Sequence, residues 1–187
     1  MLYWNKRAER FRVSGVEVLR CCLTLPQWEE HETLSALYRE IGDRAMAFCK
    51  DRLREEAEAE YESSEDERKR FRFPTWRYEL TGEVCHAEDG LLSVRLTATL
   101  CRKGSAEPLM RGYDAHTWQL EEGADAVLLP PEQVAERVTG RALPRRKRRR
   151  AKGAVIENER VFLCRGNTWE ELCVPQKANE GENLFKM

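Results

Sequence analysis

Asp89-Gly90-Leu91-Leu92-Ser93-Val94-Arg95-Leu96-Thr97-Ala98-Thr99-Leu100-Cys101 is the stretch on which the fold turns. Leu92, Val94, Leu96, Ala98 and Leu100 alternate with Ser93, Arg95, Thr97 and Thr99. That period of two is the mark of a strand with one face toward a core and the other partly wet. Asp89-Gly90 in front of it is a hairpin turn, since glycine accepts the positive φ of a tight two-residue connection. The strand therefore pairs backward with Phe71–Cys85, where Trp76, Tyr78 and Leu80 alternate with Arg77, Glu79 and Thr81. Lys103-Gly104-Ser105 turns the chain forward into a third strand, Leu109–Leu120, which carries Met110, Tyr113, Trp118 and Leu120. Three consecutive strands joined by turns make an antiparallel meander.

Upstream, the spacing predicts a strand from about Gly15 to Leu25, stopped by Pro26, with Leu19, Cys21, Leu23 and Leu25 on one face. A helix is predicted from about Glu29 to Tyr61, because Leu34, Leu37, Tyr38, Ile41, Ala45, Phe48 and Cys49 recur at steps of three and four. Beyond Leu53 the apolar stripe fades into glutamates, so this end is expected to project into solvent and to fray near Ser63-Ser64. Downstream, Glu121-Glu122-Gly123 is a turn and Pro131 to about Val138 is a short helix, closed by Gly140. Val155-Ile156, Val161–Cys164 and Trp169–Val174 read as strands around turns at Asn158 and Gly166-Asn167. The expected fold is α+β: an antiparallel meander packed on one long amphipathic helix, with a C-terminal hairpin. One domain is expected over residues 1–175, with a basic loop at 141–153 and a flexible tail at 176–187.

Composition narrows the function classes. The chain has 187 residues, 41% of them hydrophobic and 35% charged, enough apolar content for a real core. No apolar run reaches the roughly 18–20 residues of a membrane helix, and the N-terminus lacks the pattern of a signal peptide. A cytoplasmic protein without membrane contact is the expectation. Seven cysteines, an odd number, point to reduced thiols. None of them forms a CxxC pair, and only Cys85 has a histidine beside it, His86, so no metal site is expected. No cofactor motif is present: there is no Gly-rich phosphate loop, Gly-x-Ser-x-Gly elbow or His-Glu-x-x-His.

The formal net charge of −1, from 32 Lys+Arg and 33 Asp+Glu, hides two opposite blocks. Asp51–Asp66 is strongly acidic. Arg141–Lys152 has eight cations in twelve residues and no acid. The latter, through Arg145, Arg146, Lys147, Arg148, Arg149 and Arg150, is a candidate polyanion-binding or nucleic-acid-binding segment. It contains no aromatic residue, so base stacking is not expected. The two blocks could also dock on each other, within one molecule or by self-association.

In the order of its motifs the chain resembles the RsiV-like family, the domain of RsiV-like anti-sigma-factor ectodomains that also stands beside the catalytic domain of some peptidoglycan deacetylases. The resemblance lies in Leu37-Tyr38-Arg39-Glu40-Ile41 opening the helix, Asp89-Gly90-Leu91-Leu92-Ser93-Val94, Trp118-Gln119-Leu120-Glu121-Glu122-Gly123, and Val127-Leu128-Leu129-Pro130-Pro131. It covers roughly Val16 to Val138. Lys103-Gly104-Ser105-Ala106-Glu107 stands where the family usually has Gly-Gly-Ala-His. The resemblance implies a non-catalytic binding or sensor domain; an unidentified protein is the expected partner.

For such a domain the expected recognition surface is the exposed face of the meander, with Arg95, Tyr113 and Trp118. A thiol enzyme would instead need Cys85 or Cys101 close to His86 or His116 and an acid. Asp114, Glu121 and Glu122 could in principle pair for acid–base work, but the last two sit in a turn and should be solvated. No catalytic residue is assigned.

Overall fold

The computed structural model describes residues 1–64, 72–121 and 125–172. Asp89 and Gly90 take φ values of 53° and 69°, the paired positive dihedrals of a two-residue hairpin turn. To either side lie β3 (Trp76–Glu88) and β4 (Leu91–Arg102), paired antiparallel. β5 (Met110–Gln119) continues the meander from Leu91↔Gln119 to Leu100↔Met110. A short β6 (Val127–Leu129), not anticipated from the sequence, adds to the last three residues of β5.

On the other side of β3 the sheet changes character. β2 (Val16–Trp28) runs parallel to β3, from Leu19↔Trp76 to Thr24↔Thr81. β1 (Leu2–Val13) folds back on β2, giving a six-stranded sheet in the order β1-β2-β3-β4-β5-β6. The sheet is therefore mixed, and the meander is only part of it. β1 carries no apolar alternation to mark it as a strand, because residues 5–12 are mostly charged. Those charges are used: Arg7 reaches Asp43 at 2.5 Å, Lys50 reaches Glu9 at 2.9 Å, and Arg54 lies over the ring of Phe11.

Pro26 does not end β2, contrary to the expectation. The amide of Glu29 donates to Met1, so odd-numbered residues of β2 bond to β1 and even-numbered ones turn their backbone toward β3. Pairing with β3 stops at Thr24, so Pro26 has no ladder bond to lose there. Its ring packs over Gly82 instead: a Cβ on Gly82 would come within 2.6 Å of Pro26 Cδ.

A parallel joint needs a crossover, and the long helix supplies it. It comprises α1 (Glu32–Phe48), a π turn (Cys49–Leu53) and α2 (Arg54–Glu62). Cys49, Leu53, Ala57 and Tyr61 are all buried against the sheet at four-residue steps. Each such step overshoots a 3.6-residue turn by about 40°, and the wider π turn takes up that slip. The glutamate-rich end thus lies on the sheet rather than projecting from it. Tyr61 packs on Phe73 with centroids 5.6 Å apart, and Glu60 accepts from Trp76 Nε1 at 3.1 Å and Arg102 Nη2 at 2.7 Å. The acidic residues 65 and 66 lie outside the described residues.

The opposite face of β4 and β5 is covered by a second sheet, β7 (Gly153–Glu157), β8 (Arg160–Arg165) and β9 (Thr168–Leu172). This face is not wet at its centre: Ser93 and Thr117 are fully buried. Their hydroxyls lie 2.7 Å apart; Thr117 donates to the carbonyl of Ala154 and the amide of Ile156 donates to Ser93. Gly153 rests directly on β5, where a Cβ would fall 1.9 Å from the carbonyl oxygen of Ala115. α3 (Pro131–Thr139) packs on the far side of this sheet and ends at Gly140 in the left-handed region, with φ 67°. α4 (Arg145–Arg148) is a single turn inside the expected basic loop. The expected tail at 176–187 lies outside the described residues. Among the described residues no helix is long and apolar enough to cross a membrane.

Candidate functional site

Strand parity decides what each face of the meander displays. Register pairs Leu92 with Trp118, Val94 with His116 and Leu96 with Asp114, all on the face toward the helix. Arg95, Ala115, Tyr113 and Thr117 lie on the face toward the second sheet. Arg95, Tyr113 and Trp118 therefore do not form one surface. Trp118 is 4% exposed and donates its indole N–H to the Tyr38 hydroxyl at 3.2 Å, which corrects its expected place on an exposed face. Arg95 and Tyr113 do come together, through Trp169 of β9: the guanidinium lies 5.2 Å from the indole centroid, and the Tyr113 ring lies 5.5 Å from it. Arg95 is also paired with Glu157 and, at 3.8 Å, with Glu83. This cluster clamps β9 and β7 onto the main sheet, and Trp169 is the member that sequence reasoning missed.

On the helix side the sheet is incompletely covered. A groove of about 380 Å³ opens between α1 and strands β3–β5. Ile41 and Ala45 form its helical wall, Tyr78, Leu80, Leu96 and Ala98 its floor, and Arg44 and Asp114 its polar rim. Gly112 is what leaves the floor open. Its φ is not positive, and a Cβ there would meet nothing nearer than Ala98 Cβ at 4.0 Å, so a side chain at 112 would point into free space.

Asp114 brings charge to this rim. Burial opposes its ionisation, but the hydrogen bond and charge of His116, 3.6 Å away, and the amide of Ala115, at 2.9 Å, outweigh that and hold its carboxyl below the usual range. His116 packs on Tyr38 with centroids 5.7 Å apart, and its buried Nδ1 has no hydrogen-bond partner among the described residues. Burial pushes the Tyr78 hydroxyl up to about 12 and that of Tyr38 higher still, so both stay protonated.

The other candidates are not brought together. Cys85 and Cys101 occupy the face opposite His116. Burial raises the Cys85 thiol, and it pushes Cys164 up to about 11. A hydrogen bond with Cys49, then burial, drives Cys21 far above the ordinary thiol range. Glu121 accepts a bond from Gln119 at 2.5 Å, and Glu122 lies outside the described residues. Among the described residues no group of three or more His, Cys, Asp or Glu side chains could hold a metal ion. In the basic segment Arg145, Arg146, Arg148, Arg149 and Arg150 are exposed, while Lys147 pairs with Glu170 at 2.6 Å.

No family model matches the chain, and no curated protein does. In three dimensions it is similar to a DUF3298 family protein from Pseudomonas aeruginosa PAO1. The two share a TM-score of 0.52 over 94% of this chain and 90% of that one, with 13% of residues identical. Likeness at that identity establishes a common fold, that of a domain of unknown function.

Proposed function

We propose that this chain is a non-catalytic binding or sensor domain of RsiV-like type, and that it receives a protein partner in the groove between α1 and β3–β5. The observation that carries this reading is the groove itself. It has an apolar floor, a few polar groups at its rim, and a volume inside the roughly 300–1,000 Å³ range of ligand sites. The fold shared with a DUF3298 protein, a domain type related to the RsiV-like one, supports the same reading. The floor would take one or two apolar side chains of a partner segment, and the ionised Asp114 would favour a basic group beside them.

Gly112→Leu tests this without touching the core, because it fills the groove where space is free. Peptides selected from a random library on the wild-type protein should bind Gly112→Leu at least tenfold more weakly, with its unfolding midpoint unchanged. Selected peptides that bind both proteins equally would move recognition away from the groove. A selection yielding no binder would overturn the reading.

A further inference from the structure

We propose that residues 141–152 form a preset tongue that binds the phosphate backbone of nucleic acid without reading bases. The proposal is independent of the groove. The segment is held in place at three points. Leu143 is buried in the small core under α3, and the amide of Lys152 donates to Cys164 at 2.8 Å. Between them Lys147 turns inward to Glu170. One helical turn with Lys147 inward leaves Arg145, Arg146 and Arg148 about 100–160° away around the axis, facing out. Arg149 and Arg150 follow, also exposed, and none of the five arginines makes an ion pair with a described residue.

The charge is not neutralised from beneath. Glu170 is shared by Lys147 and Arg165, so one carboxylate serves two cations. Arg165 Nε and Nη2 have no hydrogen-bond partner among the described residues. Five exposed guanidiniums on a backbone anchored at Leu143 and Lys152 suit a run of phosphates, which each can meet in bidentate fashion. The remaining composition selects among polyanions. Residues 141–152 contain no aromatic side chain on which a base could stack, and their one large apolar residue, Leu143, faces inward, so none can enter a bilayer. Phosphodiester contact alone is what this surface can provide.

The test is fluorescence anisotropy of the full chain with labelled random-sequence duplex DNA between about 50 and 200 mM salt. Wild type is compared with a variant carrying Arg145→Ser, Arg146→Ser, Arg148→Ser, Arg149→Ser and Arg150→Ser, and with Gly112→Leu. Five phosphate contacts predict a slope of log affinity against log salt of roughly −4 to −5, hence several-hundred-fold weakening across the series. The five-serine variant should lose nearly all of that slope and keep its thermal midpoint. Gly112→Leu should bind DNA like wild type, which separates this proposal from the groove. Absence of binding at about 50 mM salt, or a slope the serine variant retains, would overturn it. So would tighter binding to phosphatidylserine vesicles than to DNA, or salt-sensitive self-association in sedimentation without DNA binding.

Discussion

The indole N–H of Trp118 donates to the hydroxyl of Tyr38 across 3.2 Å, with both side chains sealed between sheet and helix. It is a polar rivet in an otherwise apolar contact, joining β5 to α1 beside the groove. Trp118→Phe leaves the Tyr38 hydroxyl buried without its donor. It should destabilise the protein by roughly 1–3 kcal/mol in urea unfolding. Adding Tyr38→Phe should recover part of that loss, because both polar groups then leave together. A double variant whose loss equals the sum of the singles would mean that the bond contributes nothing.

Gly153 has a different constraint. A Cβ there would fall 1.9 Å from a main-chain oxygen, which no rotamer change can relieve. Gly153→Ala must lift the second sheet from β5, with a loss of about 3 kcal/mol or more and disturbance of the Ser93–Thr117 bonds. Hydrogen exchange would show it as faster exchange at the Ile156 amide. An unchanged melting temperature would contradict this packing.

Asp114 predicts a pH dependence with a definite sign. Its carboxyl is held below its ordinary value in the folded state, so its contribution is present above the ordinary carboxylate range and lost as pH falls below about 4. The stability difference between wild type and Asp114→Asn should thus shrink as pH falls from about 4 toward 2.5. The side chain is 51% exposed, so solvent screening keeps the amplitude small. A difference that grows between about pH 4 and 2.5 would reverse the assignment.

The thiols make a simple check on chemistry. Cys21 and Cys164 sit above the ordinary thiol range and are buried, so iodoacetamide near pH 8 should leave both unmodified in the native protein and label them after urea unfolding. One cysteine alkylated within seconds near neutral pH would point instead to an activated nucleophile.

Much of this architecture is legible one segment at a time. The alternation of β4, the Asp89-Gly90 turn, the apolar stripe of α1 and the Pro131–Gly140 helix all follow from local periodicity and turn chemistry, and the structure has each of them. What local patterns do not carry is which surfaces meet. β1 reads as charged and featureless until the helix above it supplies Asp43 and Lys50. Ser93 and Thr117 look like solvent-facing residues until β7 arrives with a carbonyl and an amide for them. The groove depends on Gly112 standing below α1, a relation between distant segments. Trp118 differs in one respect, because its separation from Tyr113 follows from the strand alone: the two lie five residues apart, and an odd interval puts them on opposite faces.

The parallel joint between β2 and β3 has a kinetic consequence. Leu19 and Trp76 are neighbours in the sheet but about 57 positions apart along the chain. The hairpin β1–β2, the helix and the meander β3–β5 can each organise from nearby residues. Their union must wait for the closure of a long loop, an entropic cost met before any contact across the joint can repay it. Folding should accordingly divide into fast local ordering and a slower consolidation. Substitutions at Leu19 or Tyr78, on either side of the joint, should retard that second phase more than equally destabilising changes within the Asp89-Gly90 hairpin.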